Sequence, residues 1–197
     1  AMAGLQTETR VVGSVVPSGE ASGLKYANGF LHGVRLTCGQ CDVWSIDLEE
    51  YTDVSEGSSA AHRLRNINVD TVFAAPGTAG DAAIRAAALS GVSVIGVGQD
   101  YYAKLYTSDG VDGADLVLGS IIYRPDVLLD AILQDLVNGI RSSGPIPFSF
   151  GSGTLDIIIP VGSPLSPAAR DITSNIVSRI ASGVLSTGVD PLSGEEQ

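Results

Sequence analysis

Two consecutive stretches decide the fold, Asp70-Thr-Val-Phe-Ala-Ala-Pro-Gly-Thr-Ala-Gly-Asp-Ala-Ala-Ile84 and Val92-Ser-Val-Ile-Gly-Val-Gly-Gln-Asp100. The first predicts an apolar strand, a glycine loop and the start of an alanine-rich helix, and the second predicts another apolar strand. If the two strands are parallel, the loop at Gly77 lies beside the loop at Gly98-Gln99-Asp100. Because open α/β sheets bind small ligands at the carboxyl edge of their strands, the sequence indicates where a ligand would lie.

Strands and helices alternate on both sides of these stretches. Short apolar runs predict strands at residues 10–16, 41–46, 70–74, 92–97, 115–123 and 155–160, and helical spacing of apolar residues predicts helices at 20–33, 55–66, 81–89, 125–140 and 167–180. Residues 101–113 are polar and rich in turn formers, which predicts a loop. Strands that are apolar throughout are typical of sheets covered on both faces. We therefore expect an α/β fold, with a doubly wound, mostly parallel sheet and helices on both faces.

The length of 197 residues suits a single α/β lobe at residues 10–185. Within it we expect a core at 10–140, a Ser-, Gly- and Pro-rich linker at 141–150, and a closing strand and helix at 151–185. Residues 1–9, which start with Ala1-Met2-Ala3, are expected to be a disordered or tag-derived N-terminus. Residues 186–197 are expected to be a flexible tail.

The composition excludes several partners. The net charge of −11 and the pI near 4.3 argue against binding to nucleic acid or to anionic lipid. The chain has no run of 18 apolar residues that would cross a bilayer, and no signal peptide is visible. With 44% hydrophobic and 17% charged residues, the chain is able to bury a sizeable core.

The order of the motifs resembles the basic membrane protein family, which are substrate-binding lipoproteins of ABC transporters typified by purine nucleoside receptors. The resemblance covers roughly residues 10–139. The matching segments are Val12–Val16, Tyr26–Val34, Val69–Gly80, Gly91–Asp100 and Val117–Asp126.

This resemblance implies one lobe, the second, of the two-lobed class I periplasmic-binding-protein fold. It also implies a non-enzymatic, extracytoplasmic protein that binds a small molecule, nucleoside-like or sugar-like, and works with a membrane permease or receptor. The missing N-terminal lobe or a second subunit would close over the ligand. The implied ligand-binding residues are Ala75, Pro76, Gly77, Thr78, Gly80, Gln99, Asp100 and Tyr123.

Two positions depart from the family pattern. Gly98 stands where family members have an Asp that contacts the sugar of the nucleoside, and Tyr123 stands where they have a Lys that faces the ligand. Because a site built to hydrogen-bond its ligand loses much affinity when a polar partner is removed, nucleoside recognition is not carried over to this chain.

Each feature of this edge also has a structural interpretation. The 76–80 loop is either a cradle of free amides or a tight strand-to-helix turn that needs glycine. Gln99 and Asp100 either face a ligand or are solvated. The tyrosines that follow either stack on a flat ligand or pack half-buried beside the sheet; they are Tyr101, Tyr102 and Tyr106.

Cys38-Gly-Gln-Cys41 is the only cysteine pair. In an exported protein it predicts a local disulfide across a turn, whereas a redox CxxC normally opens a helix. The cysteines lack nearby histidines for a zinc site, and the sequence indicates no metal site and no cofactor. His32 and His62 are interpreted as surface or packing residues.

Three functions remain open from the sequence. The first is a solute-binding or ligand-sensing lobe. The second is a structural or protein-interaction domain with a vestigial pocket, dimerising through the former cleft face. The third is a flavodoxin-like α/β enzyme, which lacks a nucleophile–base pair and a phosphate loop after its first strand.

Overall fold

The computed structural model describes residues 1–19, 21–109, 113–141, 144 and 146–197. In this part of the chain six strands form one sheet. They are β1 (Val11–Pro17), β2 (Asp42–Leu48), β3 (Thr71–Ala74), β4 (Ser93–Val97), β5 (Val117–Tyr123) and β6 (Leu155–Ile158).

The described helices follow and connect these strands. They are α1 (Met2–Gln6), α2 (Ala21–Thr37), α3 (Val54–Asn66), α4 (Thr78–Leu89), α5 (Tyr101–Asp109), α6 (Pro125–Val137) and α7 (Pro167–Ala181), with a short 3-10 turn at Ala114–Leu116 before β5. None of these described helices is both long enough and apolar enough to cross a membrane.

The strand order is β2-β1-β3-β4-β5-β6, and each neighbouring pair from β2 to β5 is parallel. Strand β6 is antiparallel to β5, with Ser120 opposite Ile158 and Tyr123 opposite Leu155. The predicted α/β fold with a mostly parallel sheet is therefore confirmed. Because β1, β3, β4 and β5 run in the same direction, the loops that follow them lie at one edge of the sheet.

The sheet separates two apolar layers. Successive residues of a strand point to opposite faces, so that Val72 packs with α3 and α4 on one side while Phe73 packs with α2 on the other. Leu64 of α3 and Ile84 of α4 are fully buried in the first layer. The second layer contains residues of α1, α2 and α7. Helices on both faces agree with the predicted doubly wound arrangement.

The predicted loop at 101–113 contains a helix instead, since residues 101–109 form α5. Asp100 accepts the Ala103 amide (3.2 Å), and the Tyr101 amide donates to the Ser120 hydroxyl (3.0 Å), which fixes the first turn against β5. The helix has only a weak apolar face, and helical spacing therefore did not reveal it. Residues 110–112 lie outside the described part of the chain.

Both termini make defined contacts in the described structure. At the N-terminus, Met2 and Ala3 are buried beneath α2 and α7, which gives α1 an apolar contact that its five residues need in order to stay helical. In the 186–197 segment, a β-bridge joins Val189 to Glu196, and the Asn28 side-chain amide of α2 donates to Gly194 O (2.7 Å). This hydrogen bond ties the tail to α2.

The predicted linker at 141–150 is only partly described, because residues 142, 143 and 145 lie outside the described residues. Its last residue but one, Ser149, donates its amide to Thr154 Oγ1 (2.8 Å) and accepts the Leu155 amide (3.0 Å). These bonds form the turn that leads into β6.

Cys38 and Cys41 form a disulfide with their Cα atoms 5.4 Å apart. The pair spans the turn between the end of α2 and the start of β2, and the Cys41 amide also donates to Cys38 O (3.2 Å). The disulfide therefore closes a turn. Redox CxxC motifs instead lie at the start of a helix.

Candidate ligand-binding site

The loops that follow β3, β4 and β5 meet around Gly98. A Cβ atom at Gly98 would lie 3.3 Å from Pro76 Cβ and 4.0 Å from Tyr123 Cε2, and the Gly98 amide donates to Ile121 O (2.7 Å). The backbone of Gly98 has φ +100°, a conformation that favours glycine. Three of the loops named from the sequence are thus adjacent. We call this carboxyl edge, formed by residues 75–78, 98–100 and 123, the rim.

The first part of the rim is partly built as a tight turn. A Cβ atom at Gly80 would lie 1.9 Å from Ala75 O and 2.7 Å from the Tyr51 hydroxyl, which itself donates to Ala75 O (2.8 Å). The Ala79 amide is also used internally, since it donates to Tyr51 O (3.2 Å). Gly80 and Ala75 therefore serve the packing of α4 against β3, as the structural interpretation of this loop required.

Solvent reaches the remaining residues of this loop. Pro76 is half-buried, whereas Gly77 and Thr78 are exposed at the start of α4. The Thr78 hydroxyl donates to Thr52 O (2.9 Å), which orients its side chain toward the segment before α3. The backbone around Gly77 and Thr78 is the part of this loop that a bound molecule would reach.

Gln99 does not extend freely into solvent. Its side-chain amide donates to Asp81 Oδ1 (2.8 Å), and the same carboxylate accepts the Tyr101 hydroxyl (2.5 Å) and the Lys104 ammonium (2.6 Å). Burial, and secondly the hydrogen bond with Asp81, raise the pKa of Tyr101, which keeps its hydroxyl protonated as a donor. This network holds the loop after β4 against α4 and α5.

Asp100 is half-buried and serves as the N-terminal cap of α5. One oxygen, Oδ1, accepts the Ala103 amide, and the Asp100 carbonyl accepts the Lys104 amide (3.0 Å). Capping of this kind satisfies amides that the first turn of a helix leaves without an intrahelical partner. Its role in the described structure is therefore to hold α5 at the rim.

Tyr123 pairs with a residue that sequence reasoning did not select. Its hydroxyl and that of Tyr26 lie 2.8 Å apart, and the Phe148 ring packs edge-on against Tyr123 at a centroid distance of 5.1 Å. Burial, and then the hydrogen bond with Tyr123, raise the pKa of Tyr26. Tyr26 begins one of the segments that resemble the basic membrane protein family. The helical spacing of apolar residues in this segment does not by itself show whether Tyr26 lies at the rim or in the core.

The tyrosines of α5 do not line the rim together. Tyr101 is buried, with a relative exposure of 1%, and Tyr102 stacks on Tyr106 at a centroid distance of 6.0 Å. The Lys104 ammonium lies 5.5 Å from the centre of the Tyr101 ring. These contacts match the packing interpretation of the tyrosines better than ligand stacking.

One cavity lies beside the rim, and a larger groove lies on another face of the lobe. A cavity of about 300 Å³ next to Thr78 is lined by Asp81, Tyr101 and Lys104. A groove of about 680 Å³ runs between α2 and α7 over Ile121 and Ile157.

Ionisable side chains lie together at the edge of this groove, where His32 Nε2 lies 3.3 Å and Arg35 Nη1 3.9 Å from a Glu196 carboxylate oxygen. Among the described residues, no group of three His, Cys, Asp or Glu side chains is placed to hold a metal ion.

A mostly parallel α/β sheet with strand-end loops that meet at an open rim is the arrangement in which open α/β folds bind small ligands. The chain belongs to the Bmp family, described as ABC transporter substrate-binding protein PnrA-like, which matches residues 2–148. The resemblance to the basic membrane protein family is thereby confirmed. Proteins of this family bind substrates, generally without catalysis, and are typically extracytoplasmic.

Solved structures with the same fold include a transcriptional activator of the comK gene from Bacillus halodurans. It is 19% identical to this chain with a TM-score of 0.77, and the match covers 93% of this chain and 61% of that protein. An ABC transporter solute-binding protein from Conexibacter woesei is 16% identical with a TM-score of 0.72 and coverages of 94% and 59%. One from Aeropyrum pernix K1 is 16% identical, with a TM-score of 0.66 and coverages of 89% and 57%.

This chain therefore spans about 60% of the length of these structures. At such low identities the similarity establishes the fold alone. No curated protein sequence matches the chain significantly.

Proposed function

We propose that the chain is a solute-binding lobe that binds a small polar molecule at the rim. The observation that carries this proposal is the meeting of Pro76, Gly98 and Tyr123 at one point of the sheet edge, in a member of a substrate-binding family. Open α/β sheets bind ligands at such an edge. The proposal extends to an ABC permease or receptor as the functional partner, outside the cytoplasm.

The side chains at this point favour a ligand that has hydroxyl groups and a flat or apolar face. Tyr26 and Tyr123 present two hydroxyls, of which one donates to the other, so that the pair retains capacity to donate and to accept. The Phe148 ring beside them supplies an apolar surface. Gly98 lacks a side chain, and a ligand is therefore able to approach its backbone. Sugar-like and nucleoside-like molecules have this combination of groups.

Closure over the ligand requires a second surface, because the rim of a single lobe leaves one side of a bound molecule in water. A partner lobe would supply it, either as a further domain or as a second subunit. Closure around the ligand by two such lobes is a hinge motion of a well-known kind.

A melting-temperature screen tests this function. Nucleosides, sugars and amino acids are added one at a time, and a binder must raise the melting temperature of the folded chain. The paired replacement Tyr26→Phe/Tyr123→Phe removes both hydroxyls and keeps both rings, and we expect it to reduce the shift by at least half.

The matched control is Tyr106→Phe, at an exposed tyrosine of α5 that stacks on Tyr102, and it should leave the shift unchanged. If no compound of the three classes stabilises the chain, or if the double replacement keeps the full shift, binding at the rim is contradicted.

The second candidate is an interaction domain with a vestigial pocket. It is favoured by Gln99, which is held by Asp81 instead of facing outward, and by the replacement of two polar family residues at Gly98 and Tyr123. An unresponsive melting temperature throughout the screen supports this second candidate.

A further inference from the structure

One carboxylate joins three parts of the structure beside the rim. Asp81 lies in the first turn of α4, and its Oδ1 atom accepts the Gln99 side-chain amide (2.8 Å) and the Tyr101 hydroxyl (2.5 Å). Its Oδ2 atom accepts the Lys104 ammonium (2.6 Å). Because Gln99 belongs to the loop after β4 and the other two donors belong to α5, Asp81 connects both segments to α4.

These contacts lie largely away from solvent. Tyr101 is buried, and the side chains of Asp81 and Lys104 are 32 and 40% exposed. A hydrogen bond to an ionised group is about twice as strong as one between neutral groups. Since a carboxylate accepts hydrogen bonds and does not donate them, Gln99 must turn its NH₂ group toward Asp81. The carboxylate therefore fixes the orientation of the Gln99 side chain.

The other flank of the same loop is attached to β5. The Gly98 amide donates to Ile121 O (2.7 Å), and the Tyr101 amide donates to the Ser120 hydroxyl (3.0 Å). The backbone of this loop is thus held between β5 on one side and α4 on the other. The attachment to α4 runs through side chains, and single substitutions are therefore able to remove it.

We propose that Asp81 is a positioning residue of the rim, which acts through Gln99 and raises the affinity for a bound molecule without contacting it. The inference rests on the function proposed above and adds one residue to it. A loop that already has its bound conformation loses less conformational entropy when a ligand binds, and preorganisation of this kind raises affinity. Asp81 supplies this order from α4, while the backbone around Gly98 makes the contact.

The test must separate two effects of the same carboxylate. Asp81 also supports α5 through Tyr101 and Lys104, and loss of that support would destabilise the fold whether or not a ligand binds. Asp81→Ala removes all three hydrogen bonds. Gln99→Met removes only the bond from the loop, because methionine is similar in length to glutamine but lacks the amide.

Calorimetric titration of the full chain with adenosine and with ribose measures the effect on binding. Asp81→Ala and Gln99→Met should each raise the dissociation constant about tenfold. The double variant should bind no more weakly than either single variant, because both changes remove the same connection. The matched control Asp171→Ala, at an exposed aspartate of α7, should leave the dissociation constant unchanged. Additive effects of the two substitutions would show that Asp81 does not act through Gln99 and would overturn the inference.

Amide hydrogen exchange on the ligand-free chain measures the order of the loop itself. The Gly98 and Tyr101 amides should exchange faster by about fivefold or more in both variants, while the amide of Val15 in β1 keeps its rate. If Asp81→Ala does not fold, Gln99→Met alone decides, and either parental affinity or parental exchange rates in that variant overturn the inference. A parent chain that binds neither probe contradicts the proposed function and this inference with it. Parental binding that survives both substitutions contradicts this inference alone.

Discussion

At the scale of single residues, the rim depends on a close approach that requires glycine at Gly80 and on a positive φ that favours glycine at Gly98. Gly80 allows α4 to lie against Ala75 O, and Gly98 allows the loop after β4 to lie beside Pro76 and Tyr123. The first position serves packing and the second opens the rim. The sequence named both glycines, but the distinction between their roles required the coordinates of neighbouring elements.

Replacement of Gly80 tests the first of these approaches. Gly80→Ala would place a methyl group 1.9 Å from Ala75 O, and overpacking of this kind lowers the free energy of unfolding by about 1–3 kcal/mol. The matched control is Gly29→Ala in α2, where a Cβ atom meets nothing within 4 Å. That control should raise the free energy by about 0.5–1 kcal/mol, since alanine is the better helix former.

Urea unfolding measures both variants. Equal effects of the two substitutions, or a Gly80→Ala variant as stable as the parent, would show that α4 does not approach β3 as closely as described.

Sequence reasoning anticipated some of the neighbours at the rim and not others. Pro76 lies in the loop after β3, and Tyr123 was named from the family resemblance; both lie beside Gly98, because parallel strands bring their ends to one edge. Gln99 was named from its position at the end of a strand, but its amide reaches Asp81 of α4, and strand position does not predict that contact. Tyr26 was not named, since a helix contributes it from outside the loops.

At the scale of elements, periodicity located the parallel strands and the helices that cover them. The strands of the core are short apolar runs, such as Val94 and Ile95 in β4, whose side chains fill opposite layers. Helix α5 escaped this reasoning because it has little apolar periodicity, and its stability comes instead from Asp100, Ser120 and the burial of Tyr101. Helix α6 was found, but its apolar face is not buried in this lobe.

The C-terminal hairpin, residues 189–196 closed by the Val189–Glu196 bridge, gives an element-scale prediction about pH. The Asp190 carboxylate accepts the Ser193 amide (2.7 Å) and the Leu192 amide (2.8 Å), and these bonds hold its pKa below the ordinary value. A depressed folded pKa stabilises the hairpin above the ordinary aspartate pKa, near 3.9, and this stabilisation is lost as the pH falls through the folded value.

A carbon-detected NMR titration of the carboxyl groups measures this effect. We expect the midpoint of Asp190 to lie below those of the exposed aspartates, and the amide resonances of Leu192 and Ser193 to move with the same midpoint. In Asp190→Asn those two amides should no longer titrate. An ordinary midpoint for Asp190, or amides that titrate independently of it, would contradict the hairpin as described.

At the scale of the whole molecule, the described chain is an α/β lobe whose rim, the proposed ligand edge, is open to solvent. The structural match with the comK activator covers 93% of this chain but only 61% of that protein. Helix α6 begins directly after Tyr123 and Arg124, so the uncovered apolar face starts beside the rim.

The most direct test of the account is amide NMR mapping of a compound that raises the melting temperature of the full chain. Saturating addition should move the resonances of Gly77, Thr78, Gly98, Gln99 and Asp100, which lie at the ends of β3 and β4. The amides that line the groove between α2 and α7, such as Thr173 and Ile176, should stay in place. Shifts confined to that groove, with the rim resonances unmoved, would contradict the claim that this lobe binds its solute at the carboxyl edge of the sheet.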